Sequence, residues 1–151
     1  MAEKIDPLDL EIIKELQGNA RQSYREIAEK LKVAEGTIYN RVSKLQRLEV
    51  IKRFITDIDY TLLGYELTAI IGLVAEGGKL VEIEEKIARE PNVTAVYDVT
   101  GDYDAMIVAK FKTREDLNKL VKKIIALKAV QRTNTMLVLN TRKEDHGVKL
   151  K

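Results

Sequence analysis

The segment SYREIAEKLKVAEGTIYNRVSKLQRLEV, residues 23–50, contains two helical patterns separated by a short break. Ser23 and Glu26 begin the first pattern at the spacing of a capping box, in which each side chain accepts the other residue's backbone N–H. The break falls at residues 32–35. Three apolar side chains then recur at helical spacing: Ile38, Val42 and Leu45. Two short helices joined by a tight turn predict a helix-turn-helix.

The opposite side of the second helix is polar and basic. Together with the residues just after the helix, it supplies the candidate DNA contacts: Gly36, Thr37, Tyr39, Asn40, Ser43, Lys44, Arg47, Lys52 and Arg53. In a major groove, Asn can pair with adenine and Arg or Lys with guanine, while Ser and Thr can bond base edges or phosphates. The charge balance alone fits a solvated helix surface equally well. Arg41 lies at the edge of the apolar stripe, where we expect a salt bridge.

A further helix is predicted before this pair. Asp6 is a good N-cap residue, and Pro7 suits the first helical position. The inner face of this helix is apolar: Leu8, Ile12, Ile13 and Leu16. We expect Gly18 and Asn19 to end the helix. Three helices then form the core of a DNA-binding domain over residues 1–50.

The residues after the third helix form a connection. Residues 51–58 alternate between two sets of side chains, which predicts a strand or a small wing. Gly64 permits a sharp change of direction at the end of a short hinge, so residues 51–64 are assigned as strand and linker. The N-terminal region is therefore expected to be winged-helix-like.

The second half of the chain has the order strand, helix, strand, strand, helix, strand. The predicted spans are residues 66–76, 80–89, 93–100 and 105–111, a helix capped by Thr113, and residues 130–141. This order predicts a ferredoxin-like βαββαβ sandwich, and hence an α+β protein. The sandwich domain is assigned to residues 65–141 and a C-terminal tail to residues 142–151.

Both faces of the predicted sheet are apolar. The first strand alternates Leu67, Ala69, Ile71 and Leu73 with Ile70, Gly72 and Val74. In this fold the helices cover only one face, so an apolar open face predicts an interface. We expect a homodimer built sheet to sheet.

The composition limits the kinds of function. The chain has 151 residues, of which 45% are apolar and 33% charged, and its net charge is +2. It contains no cysteine and one histidine, His146, so we expect no metal site and no required cofactor. No apolar run approaches the roughly 20 residues that cross a bilayer, which predicts a cytoplasmic protein that binds no membrane. Because no nucleophile, base and orienting group stand together, we expect no catalysis.

The motifs together resemble the Lrp/AsnC transcription regulators, also called feast/famine regulatory proteins. The resemblance rests on the segments DPLDLEIIKELQGNAR, REIAEKLKVAEGTIYNRVSKLQ, VIKRFITDID, LLGY, VYDVTGDYDAMI and RTNTMLVL, in this order. Members of this family look like dimers that associate into octamers or discs and bind amino acids or related small molecules where dimers meet. The resemblance implies a sequence-specific regulator with double-stranded DNA as its partner and a small-molecule effector, and we expect an archaeal source.

The resemblance places the effector site on the loop Gly101, Asp102, Tyr103 and Asp104 and, across the sheet, on Thr133 and Thr135. A free amino acid needs acceptors for its ammonium group, which the aspartates can supply. It also needs donors for its carboxylate, which the loop backbone and the threonines can supply. Without the resemblance, the loop is an ordinary hairpin turn.

Three residues depart from the family pattern. Lys32 stands in the turn where glycine is common. Ala34 replaces the usual Ser or Thr before the second helix of the pair, which removes a cap worth about 1 kcal/mol. Asn134 separates the two threonines and bears on the choice of effector.

Two other functions fit parts of the pattern. An architectural DNA-binding protein would share the basic helix but would bind random sequences with a flat affinity. A group of haem-pathway decarboxylases acting on tetrapyrroles resembles this family in both domains. Such chemistry needs histidines or arginines gathered in a pocket, whereas His146 stands alone in the polar tail.

Overall fold

The structure, a computed structural model, describes residues 4–145 and 147–150 and divides into two compact units. The first, called the helical unit below, contains the described residues up to Asp57 and those from Glu144 onward. The second, called the sheet unit, is Ile58–Lys143. The connection that follows the third helix thus belongs, by its contacts, mainly to the helical unit.

The C-terminal tail packs within the helical unit. The side-chain amide of Gln17, near the end of the first helix, donates to the backbone carbonyl of Val148 at 3.2 Å. His146, which the sequence places in the polar tail, lies outside the described residues. The tail therefore adds a segment distant in sequence to the surface of the first helix.

Three helices form the helical unit: α1 (Pro7–Gly18), α2 (Tyr24–Leu31) and α3 (Glu35–Arg47). Both predicted helix starts are confirmed, and each forms a capping box. Before α1, the Asp9 N–H donates to Asp6 at 3.0 Å and the Asp6 N–H donates to Asp9 at 3.1 Å. Before α2, Ser23 and Glu26 make the same exchange at 2.8 and 3.2 Å. Each box satisfies two backbone donors that a helix start otherwise leaves unpaired.

The apolar faces of the three helices meet in one core. Its buried members are Ile12, Leu16, Ile27, Ala28, Ile38 and Val42. Leu45 is also fully buried, so the predicted apolar stripe of α3 is confirmed. Burying one large aliphatic side chain contributes about 1.5–3 kcal/mol, which makes this core the main source of stability in a unit of this size.

The turn between α2 and α3 forms around a lysine in the left-handed conformation. Lys32 has φ 54° and ψ 46°, and the Val33 N–H closes the end of α2 by donating to the Ala28 carbonyl at 3.0 Å. Lys32 thus adopts the backbone shape that glycine reaches more easily. At the start of α3, Ala34 makes no side-chain cap, as its methyl group dictates.

The predicted strand after α3 is wrong. Residues 51–58 form no strand, and the hinge instead contains a short 3-10 helix, Thr61–Leu63, followed by Gly64 at φ 85°. Alternating side chains are not sufficient for a strand, because a strand also needs a hydrogen-bonded neighbour. In the described part of the chain, residues 51–58 have no strand beside them.

The sheet unit contains β1 (Leu67–Ala75), α4 (Leu80–Ile87), β2 (Val93–Asp98), β3 (Ala105–Phe111), α5 (Arg114–Ile125) and β4 (Val130–Leu137). Its antiparallel strands lie in the order β2-β3-β1-β4. The predicted ferredoxin-like βαββαβ order is confirmed. Thr113 caps α5 as expected, accepting the Asp116 N–H at 3.1 Å.

The last strand is shorter than predicted. It ends at Leu137, four residues before the expected end at Thr141. The neighbouring strand β1 begins at Leu67, and the Val138 N–H makes the last ladder contact, to the Thr68 carbonyl at 2.9 Å. Beyond this point the apolar residues of the segment have no strand to pair with.

The two faces of the sheet have different surroundings. On the inner face, strand residues pack against α4 and α5 in a core that contains Ile71, Leu73, Ile83, Ile87, Ile107, Phe111, Leu120 and Ile124. On the outer face, Ile70 lies opposite Val108 of β3 and Met136 of β4. Neither of the helices covers these side chains, and Met136 is 39% exposed. The outer face therefore carries an apolar patch at these three positions.

Replacing Lys32 by glycine should stabilise the helical unit. Non-glycine residues in the left-handed conformation are strained by about 1–2 kcal/mol, part of which glycine gives back through the greater entropy of the unfolded chain. We expect Lys32→Gly to raise the free energy of unfolding by about 1 kcal/mol, measured by thermal and urea unfolding of the full chain. Lys122→Gly, an exposed position inside α5, should lower it by about 1 kcal/mol. A loss of stability in both variants would contradict the assigned role of Lys32.

Candidate DNA-binding and effector sites

The outer side of α3 presents most of the predicted DNA-binding residues to solvent. Seven of the nine candidates are exposed: Gly36, Tyr39, Asn40, Ser43, Arg47, Lys52 and Arg53. Thr37 is half-buried in the first turn of the helix. Asn40 and Ser43 are one turn apart, so their side chains share one surface. The structure thus brings together a polar strip along the helix and two cations on the segment that follows it.

Tyr39 has a structural neighbour on the first helix of the pair. Its side chain is 60% exposed, and its ring meets that of Tyr24 edge-on at 6.4 Å between centroids. Edge-to-face packing of this kind orients an aromatic ring without covering it. Tyr24 therefore holds Tyr39 at the surface of the helix pair.

A buried carboxylate joins α1 to α3. The Asp9 side chain is fully buried, and both of its oxygens are bonded. Oδ1 accepts from Arg41 Nη1 at 3.0 Å, while Oδ2 accepts from Lys44 Nζ at 2.7 Å and from the Asp6 N–H at 3.1 Å. Arg41 also bonds the Asp6 carboxylate, and Lys44 also bonds the Lys4 carbonyl at 3.0 Å. We call these residues the Asp9 cluster.

The electrostatics of the Asp9 cluster favour the charged carboxylates. Burial raises the pKa of Asp9, but hydrogen bonds from Lys44, from the Asp6 backbone and from Arg41 outweigh it and hold that pKa below its ordinary value. The hydrogen bond from Arg41 lowers the pKa of Asp6, assisted by the Asp9 backbone. In return, the two carboxylates raise the pKa of Arg41.

The structure places Lys44 differently from the prediction. Lys44 was expected to point away from the core, but its side chain is 19% exposed and its ammonium group is bound by Asp9. The reason is a partner 35 residues earlier in the chain, which an amphipathic pattern within one helix does not reveal. The salt bridge predicted for Arg41 is confirmed, with Asp6 and Asp9 as its acids. Lys44 is therefore a link between helices and not part of the exposed strip.

The predicted effector loop is anchored to the end of β1 by its last residue. The Asp104 N–H donates to the Leu73 carbonyl at 2.9 Å, and the Asp104 carboxylate accepts the Ala75 N–H at 2.8 Å. The Asp104 carbonyl also accepts the Val99 N–H at 3.0 Å. Gly101, at φ 120°, makes the turn that these bonds require. Asp104 thus fixes the loop, and its carboxylate already has a backbone partner.

Tyr103 crosses from this loop onto the outer face of the sheet. Its ring covers Gly72 in the middle of β1, where an added Cβ atom would lie 2.7 Å from the ring. Asn134 Nδ2 of β4 donates to the Tyr103 hydroxyl at 2.8 Å. The guanidinium carbon of Arg132 lies 5.7 Å from the ring centroid. The loop, β1 and β4 therefore meet at one tyrosine.

The two predicted threonines lie on the other face of the sheet. Thr133 pairs with Leu73 and Thr135 with Ile71, and both of these β1 partners are fully buried in the inner core. Side chains directly opposite in an antiparallel pair share a face. Within one chain, the sheet therefore separates Tyr103 from Thr133 and Thr135.

The sequence did contain a signal for the residues that are brought together instead. A glycine inside a strand pattern indicates a close approach of another group, and Gly72 is such a glycine. Arg132 and Asn134 alternate with the threonines along β4 and so share the face of Gly72. The register between β1 and β4 decides which residues of β4 lie on the same face as Tyr103. The sequence of one strand alone does not predict this register.

The described residues also bear on membranes and metals. Within residues 4–145 and 147–150, no helix has the length and apolar character needed to cross a membrane. In the same part of the chain, no three or more acidic or histidine side chains group in a way that could hold a metal ion.

Comparison with protein families assigns both units. Residues 5–46 match the AsnC-type helix-turn-helix domain, and residues 68–148 match the Lrp/AsnC ligand binding domain. The chain is 53% identical to an uncharacterised HTH-type transcriptional regulator of Pyrococcus furiosus, over 94% of this chain and 96% of that protein. This relative is archaeal, in agreement with the expected source.

Comparison with solved structures gives the same assignment. The AsnC protein of E. coli has a TM-score of 0.88 at 29% identity, over 98% of this chain and 100% of its own. A transcriptional regulator of Neisseria meningitidis, solved in complex with L-Met, has a TM-score of 0.85 at 19% identity over 96% of each chain. At that identity the second likeness shows the fold alone.

Removing the buried carboxylate should destabilise the helical unit. Asp9→Asn leaves Lys44 without its charged partner and leaves Arg41 with Asp6 alone, so we expect the free energy of unfolding at pH 7 to fall by about 3 kcal/mol. The matched control is Glu11→Gln, which removes an exposed pair with Lys14 and should cost less than about 1 kcal/mol. Urea unfolding followed by circular dichroism measures both. Equal losses in the two variants would contradict the importance of the Asp9 cluster.

The same variants give a pH dependence with a defined sign. Because the pKa values of Asp6 and Asp9 are lowered in the folded protein, their contribution is complete above about pH 5 and is lost as the pH falls below about 4. Asp9→Asn should therefore lose less stability than the wild type between pH 5 and pH 3. Parallel pH profiles would contradict this account.

Proposed function

The chain belongs to the Lrp/AsnC family of transcriptional regulators, and from this premise we propose how it acts on DNA. Helix α3 enters the major groove, and Asn40, with its neighbours on the exposed strip, contacts base edges. Lys52 and Arg53, on the segment that leaves α3, contact phosphates. The effector is an amino acid or a related small metabolite that binds at the loop Gly101 to Asp104 and changes the assembly or the DNA binding of the protein in the cytoplasm.

The observation that supports the DNA-binding part of the proposal is that the two sides of α3 have different surroundings. The inner side of α3 packs in the core and takes part in the Asp9 cluster, in which Arg41 and Lys44 form salt bridges with Asp6 and Asp9. Its outer side keeps Asn40 and Ser43 exposed, and these side chains have the donors and acceptors that base edges match. A helix that is held firmly on one side can present such groups in a fixed geometry on the other.

The apolar outer face of the sheet supports a homodimer. Ile70, Val108 and Met136 adjoin one another there, and an apolar patch on a sheet is a surface that proteins cover by association. A dimer carries two recognition helices, and these suit two half-sites about 34 Å apart, one turn of the DNA helix. The family resemblance extends this assembly to an octamer. A pseudo-palindromic operator follows from the two-fold symmetry.

The effector part rests on the ligand-binding domain that residues 68–148 match. The Neisseria meningitidis regulator with this fold was solved with L-Met, which makes an amino acid the first class of effector to test. An effector that binds one assembly more tightly than another shifts the balance between them by that difference in affinity. Its influence on DNA binding then needs no direct contact with α3.

Substitution of Asn40 tests whether α3 contacts base edges. On the double-stranded DNA that the wild-type protein enriches from random sequence, Asn40→Ala should bind at least about tenfold more weakly, because a good base contact contributes about 1–3 kcal/mol. Binding to unselected DNA should change much less. The control is Asn118→Ala, an exposed asparagine on α5, which should bind as the wild type does. Unchanged affinity of Asn40→Ala together with Ser43→Ala for the enriched DNA would contradict the proposal.

A further inference from the structure

Tyr39 is an aromatic residue among the polar side chains on the exposed side of α3. The sequence of this helix contains no other aromatic residue, and the tyrosine side chain is 60% exposed. Most of that side chain is an apolar ring, which hydrogen bonds to phosphates and polar base edges do not use. On a surface proposed to contact DNA, the ring is therefore suited to an apolar group of the DNA.

Tyr24 holds this ring from the neighbouring helix. The two ring centroids are 6.4 Å apart and the ring planes are inclined by 65°. Tyr24 is itself half-buried against the core of the helical unit, and it begins α2 immediately after the capping residue Ser23. An edge-to-face contact leaves at least one face of each ring uncovered. The Tyr39 ring is therefore oriented by a residue that the core fixes, and it keeps a face for a ligand.

Gly36 leaves open space one turn before Tyr39. The two residues are three positions apart on α3, so they lie on the same side of the helix. A Cβ atom added at Gly36 would meet nothing within 4 Å, and the φ of this glycine is not positive. Neither packing nor backbone conformation therefore requires glycine here, although glycine weakens a helix relative to alanine. A glycine of this kind indicates that another molecule approaches the backbone closely.

The C5-methyl group of thymine is the apolar group that bases present in the major groove, and side chains recognise it by apolar contact. We propose that the Tyr39 ring packs against the methyl group of one thymine, that Gly36 gives this base room, and that Tyr24 is the positioning residue for the contact. This inference rests on the proposed DNA-binding function and names one base that α3 selects. Asn40, the next residue, is suited to adenine, so the two neighbours together favour A·T pairs.

The test compares thymine with uracil, which differs from thymine only by the lack of this methyl group. The wild-type protein first enriches a motif from random double-stranded DNA, and each thymine of one half-site is then replaced by uracil in turn. At one of these positions uracil should weaken binding about fourfold, the effect expected for one buried methyl group. Tyr39→Ala should bind the thymine and uracil forms of that site with equal affinity.

Two tyrosine variants separate the ring from its hydroxyl and from its support. Tyr39→Phe should keep the preference for thymine over uracil, because it keeps the ring and removes only the hydroxyl. Tyr24→Leu keeps an apolar side chain against the core but removes the ring contact, so it should reduce the preference. Urea unfolding of each variant shows whether the helical unit remains folded.

Gly36→Ala tests the open space and has a matched control. It should weaken binding to the thymine form at least about fivefold, because the added methyl group occupies space that the DNA needs. It should not lower the urea midpoint of unfolding, since alanine favours a helix more than glycine does. The control is Gly18→Ala in α1, where an added Cβ atom also meets nothing within 4 Å, and this variant should bind DNA as the wild type does.

The outcomes distinguish this inference from the proposed function. If no motif is enriched, the proposed DNA-binding function fails and the inference fails with it. If a motif is enriched and depends on Asn40, but uracil is tolerated at every position or Tyr39→Ala keeps the preference, the function stands and Tyr39 is not the thymine contact. Half-sites without an A·T pair, or an equal loss of preference in Tyr39→Phe and Tyr39→Ala, would also overturn the inference. Wild-type affinity of Gly36→Ala would overturn the role of Gly36.

Discussion

The buried carboxylate of Asp9 is the constraint on which the geometry of the helical unit depends. It bonds two cations that are three residues apart on α3, and so it ties one face of that helix to the first turn of α1. A buried ion pair is not a strong source of net stability, because burial of the charges offsets much of their attraction. Its bonds are directional, however, and apolar packing is not. The core determines that α3 packs against α1, and the Asp9 cluster determines its rotation.

That rotation decides which residues of α3 face solvent and are available to DNA. With Arg41 and Lys44 held by acids, the exposed strip consists of polar side chains suited to base contacts, and the nearby cations come from the segment after the helix. The same pairs neutralise Asp6 and Asp9, two carboxylates at the start of α1 that would repel phosphate. One cluster therefore removes two cations from the binding surface and two unfavourable anions with them.

In the sheet unit, successive side chains of β1 point to opposite faces, and the two faces have different surroundings. Leu73 and Ile71 face the helices and form the core, while Gly72 between them leaves room for Tyr103 on the outer face. The absence of one side chain thus creates the place where the loop after β2 reaches β4. The same outer face carries the apolar patch proposed for the dimer.

Local chemistry made much of this fold predictable. The capping boxes at Asp6 and Ser23, the apolar stripe of α3 and the order of the sheet elements all depend on residues within a few positions of one another. Three features depended on distant partners and were not predictable. Lys44 turned inward because of Asp9, residues 51–58 lacked a neighbouring strand, and the threonines fell on the inner face because of the register of β4.

The central claim is that the protein reads a DNA sequence and responds to an amino acid. The most direct test is selection of bound sequences from random double-stranded DNA at physiological salt, with and without a mixture of the standard amino acids. The account predicts a palindromic motif with half-sites about one helical turn apart, whose occupancy changes with the mixture. Recovery of no motif under either condition would contradict it and would favour an architectural DNA-binding protein with little sequence preference.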